Sequence, residues 1–213
     1  MPIWLLWLCT QVPAPQDAET VLAAMDKSSA EIQTLVGAFE RIKRLSLMDD
    51  EARSAGTFTY RRENRAIRWD SNESGDVQQL EGDRYIEVFR KLKEIEVYTL
   101  DQRGKQLAAI MGAPDVSKTL RQDFDIVLGE HRNGEVELKL SPRSEDMRKR
   151  VKQAVLRVRT DRYIIAGVSY SEPNGDSVEI KLTKLRLNEK LSPNAFDLDL
   201  DGLVRSGYKL TKH

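Results

Sequence analysis

Residues Gly56–Trp69 read GTFTYRRENRAIRW, and they place an arginine where an alternating pattern expects an apolar side chain. Phe58 and Tyr60 share one parity of a period-two repeat while Thr57 and Thr59 hold the other, which describes a strand with one buried face. Continuing the parity sets Arg62 on the apolar face and Arg61 on the solvent face. A guanidinium keeps its charge and needs acceptors at the rim of an apolar surface. Two readings stand. Either the strand ends by Arg61 and both arginines are solvated, or Arg62 clasps an element that closes over a hydrophobic face.

Outward from this stretch the chain reads as successive hairpins. Ala66–Trp69 pairs with Gly56–Arg61. Glu81-Gly82-Asp83 turns between Val77–Leu80 and Arg84–Phe89, and Arg90–Lys93 turns into Glu94–Leu100. In those last two strands Ile86 and Val88 match Ile95 and Val97 as one buried face, with Glu87, Glu94 and Glu96 toward water. Asn133-Gly134 and Asn174-Gly175 are two-residue hairpin signals. The flanking strands alternate cleanly: Val136, Leu138, Leu140; Ala154, Leu156, Val158; Val178, Ile180, Leu182. Val21, Leu22 and Met25 recur at helical spacing within 18–29, and Val36–Lys43 reads as a strand because Gly37 weakens a helix interior. Leu107, Ala108, Ile110 and Met111 form an apolar helical turn; Asp115 is placed to cap a short helix over 116–121, and 144–149 reads as a helical turn around Met147. The sum is about ten antiparallel strands, an N-terminal helix and short inserted helices. A sheet this long curls on itself, so helices must cover its mouth or fill its concave face.

Composition narrows the function. Hydrophobic residues make up 40% and charged residues 32%, with 34 basic against 34 acidic side chains, so a core forms and no net charge draws the protein to nucleic acid or anionic membrane, which leaves only local patches to do so. One cysteine, Cys9, excludes an intrachain disulfide, and the two histidines, His131 and His213, leave little for metal or acid–base chemistry. No GxSxG, HExxH or phosphate-cradling glycine loop occurs. Asp123 and Asp125 share a parity around Phe124, read as a solvated face. The expectation is a protein that is no enzyme and carries no cofactor or metal. Ile3–Cys9 is continuously apolar but too short to span a bilayer, and small residues follow it. Residues 1–17 therefore read as an export signal, short or truncated at its start, cleaved after Ala14 or Ala18. The alternative is an N-terminal core helix of a cytoplasmic protein.

Four stretches together carry a family resemblance: the helix followed by Phe39-Glu40-Arg41-Ile42-Lys43; Gly56-x-Phe58-x-Tyr60-Arg61-Arg62 with Arg68-Trp69; Gly82-Asp83-Arg84 with Lys93-Glu94-Ile95-Glu96-Val97-Tyr98; and Asn174-Gly175-Asp176 with Leu187-Asn188 and Ala195-Phe196. In this order and spacing the chain resembles the periplasmic LolA-like lipoprotein carriers over nearly all of 18–200. That resemblance implies a mainly β fold, a half-open, strongly curved antiparallel β-barrel with an N-terminal helix and short lid helices over the mouth. It implies a monomeric periplasmic carrier of lipoprotein acyl chains or another amphiphilic lipid, served by an inner-membrane transporter and an outer-membrane receptor. Arg62 falls on the family's latch arginine, which holds the lid shut until cargo arrives; Glu63 stands where the family usually has proline. On this reading Phe58, Tyr60, Trp69, Ile86, Val88, Val97, Leu138 and Leu156 line the cavity, and Leu107, Ile110 and Met111 belong to the lid, which supplies the carbonyl acceptors for Arg62. Residues 201–213 form a C-terminal extension that pairs as an extra strand or docks on a partner. An envelope lipid- or lipoprotein-binding sensor with no shuttle role is the alternative, since fold does not fix function; there the basic run 143–152 would dock an acidic partner.

Overall fold

The computed structural model describes residues 15, 17–48, 50–100 and 116–213. The first described element is helix α1 (Ala18–Glu31), whose N-terminus is capped by Asp17 accepting from the Thr20 amide. Six strands follow as a meander: β1 (Thr34–Leu45), β2 (Asp50–Arg61), β3 (Ala66–Ser71), β4 (Val77–Glu81), β5 (Arg84–Phe89) and β6 (Glu94–Thr99). Helix α2 (Ser117–Asp123) then leads into β7 (Phe124–Arg132) and β8 (Glu135–Pro142). The short helix α3 (Glu145–Arg148), capped by Ser144, precedes β9 (Gln153–Arg159), β10 (Ile164–Ser171) and β11 (Ser177–Leu187). Helix α4 (Leu200–Arg205) and strand β12 (Lys209–Lys212) end the chain.

All twelve strands join one sheet in the order β12-β6-β5-β4-β3-β2-β1-β11-β10-β9-β8-β7. Every pairing is antiparallel except β12 on β6, which is parallel. The sheet does not close, because β7 and β12 remain edges. The expected half-open, curved antiparallel architecture is therefore the fold. The described residues supply twelve strands rather than about ten, and the tail contributes the last. Helix α2 starts at Ser117 with Val116 as a cap residue that makes no side-chain hydrogen bond; Asp115, expected as the cap, lies outside the described residues.

The sheet is apolar on both sides of one of its halves, and this separates residues that the sequence had grouped. Directly paired residues share a face. On one face Phe58 pairs with Trp69, Tyr60 with Ile67, Leu138 with Leu156, and Leu80 with Tyr85. Helix α1 packs here through Val21, Leu22 and Met25, joined by Val116 and Leu120 at α2 and by Met147 of α3. This is the concave, inner face. Ile86 pairs with Val97 and Val88 with Ile95 on the other face, where they form a second cluster with Val77. Leu198, Leu200, Leu203, Tyr208 and Leu210 of the C-terminal segment cover that cluster. Ile86, Val88 and Val97 thus do not line the inner face as expected. Strict alternation shows which residues face together but not toward which side, and the tail that buries them lies more than a hundred residues away in sequence.

Trp69 is packed among aromatic rings. Its ring lies 5.0 Å from Phe39 and 4.6 Å from Phe58, and Gly56 sits beneath them. A Cβ at Gly56 would stand 1.9 Å from the Asp70 carbonyl oxygen and 2.8 Å from the Phe39 ring. Gly56→Ala is expected to lower stability by about 2–3 kcal/mol, since β2 and β3 must part and the aromatic cluster must shift. Urea unfolding measures this, and an unchanged midpoint would contradict it.

Candidate functional site

The inner face is held covered by contacts at one end of α1. A helix leaves its last four carbonyls without internal partners, and its dipole places partial negative charge there. The last turn of α1 carries no basic residue of its own. Arg62 supplies the charge from the β2–β3 turn. Its Nε donates to the Ile32 carbonyl at 2.5 Å, its Nη2 donates to the Ser29 carbonyl, and its backbone amide donates to Gln33 O at 2.8 Å. Asn188 completes the clasp from the far side of β1. Its Nδ2 donates to Glu31 O at 3.0 Å and its Oδ1 accepts from the Gln33 amide at 2.7 Å. Asn188 adopts φ +57°, a left-handed conformation that asparagine tolerates better than most residues.

Arg62 therefore faces the inner side, as its parity required, and its acceptors lie at the carbonyl end of α1. Leu107, Ile110 and Met111, expected as the lid and as the source of its acceptors, lie outside the described residues. Glu63 is exposed in the turn and makes no ion pair with Arg62 among the described residues. Arg61 faces outward, yet it is not simply solvated: its guanidinium stands 4.7 Å from the Phe196 ring centroid.

Helix α2 is tied to α1 at the opposite margin. Arg121 reaches Glu19 at 2.6 Å and Asp26 at 2.9 Å, and the Ser117 hydroxyl donates to Asp26. These ion pairs are half-exposed and contribute about 0.2–1 kcal/mol each, less than the apolar burial of Leu120 and Val116 beside them. Asp123 ends α2, and burial pushes its carboxyl above the ordinary range. Asp125 is engaged by Arg143 at 2.9 Å.

Beneath these helices the inner face has two characters. Phe58, Tyr60, Trp69, Leu138 and Leu156 belong to one continuous buried cluster with α1 and α2. Strands β4–β6 instead turn Gln78, Tyr85, Glu87, Glu96 and Tyr98 to this side. Glu87 and Glu96 are directly opposed, an arrangement that like charges disfavour. Each carboxylate accepts from a tyrosine hydroxyl: Tyr85 donates to Glu87 at 3.0 Å, and Tyr98 donates to Glu96. Gln78 bridges from Glu87 (2.8 Å) to Arg41 (2.9 Å), bringing a cation into the network. Burial and the neighbouring Glu87 drive the Tyr85 hydroxyl far above its usual range, while the hydrogen bond to Glu96 pushes Tyr98 up to about 12. Sequence reading missed this network because assigning Ile86 and Val88 inward sends Glu87 outward. The signal available was the directly opposed glutamate pair, each with a tyrosine two residues away.

A concave face that is apolar over most of its width and polar along one side suits an amphiphile, with chain and headgroup separated. A family model described as outer membrane lipoprotein carrier protein LolA matches residues 30–199. The chain belongs to the LolA family. Among solved structures, an uncharacterized conserved protein from Thermus thermophilus is similar at 8% identity, with 92% of this chain and 99% of that one covered and a TM-score of 0.58. MucB is similar at 13% identity and TM-score 0.53; the match covers 85% of this chain but only 62% of MucB. A LolA superfamily protein from Nitrosomonas europaea aligns at 12% identity over 87% of this chain and all of its own, with a TM-score of 0.42. No curated protein matches the sequence. The first two of these structures show a shared fold alone.

Two measurements test the geometry. Arg62→Leu removes both guanidinium bonds to α1, charge-assisted contacts worth about 1.5–3 kcal/mol where sheltered. Amides of α1 are expected to exchange at least tenfold faster while those of β8 and β9 are unchanged, whereas Arg61→Leu should leave α1 protection intact. Tyr98 is held protonated above its usual pKa of 10.0 in the folded state. Its contribution to stability is thus complete below pH 10 and is lost as pH rises through about 12. Tyr98→Phe should flatten that alkaline limb, read as unfolding midpoint against pH.

Proposed function

We propose that this LolA-family protein is a periplasmic carrier that shelters lipoprotein acyl chains, or the chains of a related amphiphile, against its concave face during transfer toward the outer membrane. The observation that supports this most directly is the manner of closure. An apolar face is plugged by a helix that contributes three core side chains, Val21, Leu22 and Met25, and is clasped at its carbonyl end by Arg62 and Asn188.

The magnitudes favour exchange. Burying one of these side chains stabilises by about 1.5–3 kcal/mol, and each acyl methylene by about 0.8 kcal/mol, so a single long chain outweighs the three residues it would displace. The clasp of about 1.5–3 kcal/mol then sets how readily α1 yields and how strongly it returns. Cargo is retained while the chain stays covered and is released where a membrane offers a better environment. In this scheme residues 1–17 direct export and 18–200 form the carrier domain. An inner-membrane transporter loads it and an outer-membrane receptor unloads it. The protein works as a monomer, without cofactor and without catalysis.

Loading is tested with an environment-sensitive apolar dye and a long-chain amphiphile as competitor. Dye emission should rise on binding and fall on competition, and Trp69 emission should shift as the inner face is filled. Arg62→Leu is expected to load about tenfold more readily, because the covered state loses its clasp. A fully folded protein that takes up neither dye nor lipid would reduce the inner face to ordinary core.

A further inference from the structure

The most exposed large apolar side chains among the described residues are not scattered. Leu47 is 90% exposed, Met48 74% and Leu92 68%. Leu47 and Met48 occupy the β1–β2 turn and Leu92 the β5–β6 turn. In an antiparallel meander these two turns, with the β3–β4 turn between them, lie at the same end of the sheet. The Arg62 clasp, in the β2–β3 turn, lies at the other end. The turn end is braced. Ser46 binds the β10–β11 turn through Asp176 Oδ1 (2.9 Å) and the Asn174 carbonyl (2.8 Å), and the Arg90 amide donates to Asp76 Oδ1 at 2.7 Å.

Charge accompanies these side chains. Lys91 and Lys93 flank Leu92, are exposed, and make no ion pair among the described residues. The Lys209 amide donates to the Lys93 carbonyl at 2.9 Å, which sets a third exposed lysine beside the same turn. Arg90 is held in place by Gly75 O at 3.3 Å and stands 6.0 Å from the Tyr208 ring centroid. Near Leu47 and Met48, Glu51 is matched by both Arg44 (2.9 Å) and Arg53 (2.5 Å).

We propose that this end of the sheet docks on an anionic phospholipid bilayer, with Leu92, Leu47 and Met48 entering the headgroup–acyl boundary and Lys91, Lys93 and Lys209 against lipid phosphates. Two features favour a bilayer over a protein partner. The apolar side chains sit on two separate tips with the polar turn 72–76 between them, whereas a protein interface needs a continuous, desolvated centre. A fluid surface accepts isolated side chains wherever they fall, and lysine stems suit its interface. This goes beyond the carrier reading, because it concerns a surface remote from the clasp and requires no cargo.

Co-sedimentation of the full chain with vesicles tests it. Binding is expected to vesicles of phosphatidylethanolamine with phosphatidylglycerol, and to be at least tenfold weaker to phosphatidylcholine alone. Lys91→Glu with Lys93→Glu should weaken anionic binding by more than about 25-fold, at about fivefold for each lysine. Leu47→Ser, Met48→Ser and Leu92→Ser combined should weaken it about tenfold. All variants keep the apolar stretch Ile3–Cys9, so differences among them report the turns. Equal binding to both vesicle types, or variants that bind as the parent does, would overturn the proposal. Absence of binding to anionic vesicles would also overturn it and assign the surface to a protein partner. Dye uptake measured on the same variants should be unchanged, so failure of docking and failure of the carrier reading are separable.

Discussion

A broad curved sheet presents an inner face whose apolar side chains cannot be left in water, and the rest of this molecule is arranged around keeping that face covered. The cover is a helix rather than another sheet. Its amide hydrogen bonds are satisfied internally, so it needs anchoring only at its ends. Helix α1 is fixed at its carbonyl end by an arginine from the β2–β3 turn and an asparagine just past β11. The fork of the guanidinium spans two carbonyls, Ser29 and Ile32, which a lysine ammonium would meet as a single point charge. The covering helix can leave without disturbing any strand pairing, because no backbone bond of the sheet runs through it.

The same logic operates on the outer side, and two consecutive residues divide the work. Arg62 turns inward to α1, while Arg61 turns outward and stands over Phe196, at the start of the segment that buries Val77, Ile86, Val88, Ile95 and Val97. That outer cover is joined to the sheet in a different way from the inner one. Gln79, itself buried, donates to the Phe196 carbonyl at 2.8 Å, Arg68 reaches Asp197 O at 3.3 Å, and β12 adds strand pairing to β6. One face is closed by a strap stitched into the sheet, the other by a helix clasped at its tip.

Much of this was legible in the sequence, and the limits have physical causes. Alternation in β8, β9 and β11 identified Val136, Leu138, Leu140, Ala154, Leu156, Val158, Val178, Ile180 and Leu182 as one buried set, because period two is a property of the strand itself. Asn133-Gly134 marked a hairpin because both residues adopt positive φ, +55° and +75°. The side to which a strand's apolar parity points depends on what covers it. With two covers available, Ile86, Val88 and Val97 joined the outer one. Parity also turned Arg62 inward, but its acceptors are backbone carbonyls, and no side chain in the sequence advertises a carbonyl. The Glu87–Glu96 network became visible only once the sheet's orientation was known.

The place of β11 beside β1 carries a kinetic consequence. Strands β1–β6 form one run of local hairpins and β7–β11 another. The two runs meet only where β1 accepts β11, a seam clamped by Asn188 bonding to Gln33 across 155 residues. Each run can assemble as soon as it is available, but the inner face is not complete until the chain is nearly whole. The seam must also bear the entropy of closing the largest loop in the molecule. Late closure of that seam leaves the two runs separate until the chain is nearly whole. It also makes the β1–β11 border, rather than any hairpin, the point at which an incompletely folded molecule would come apart.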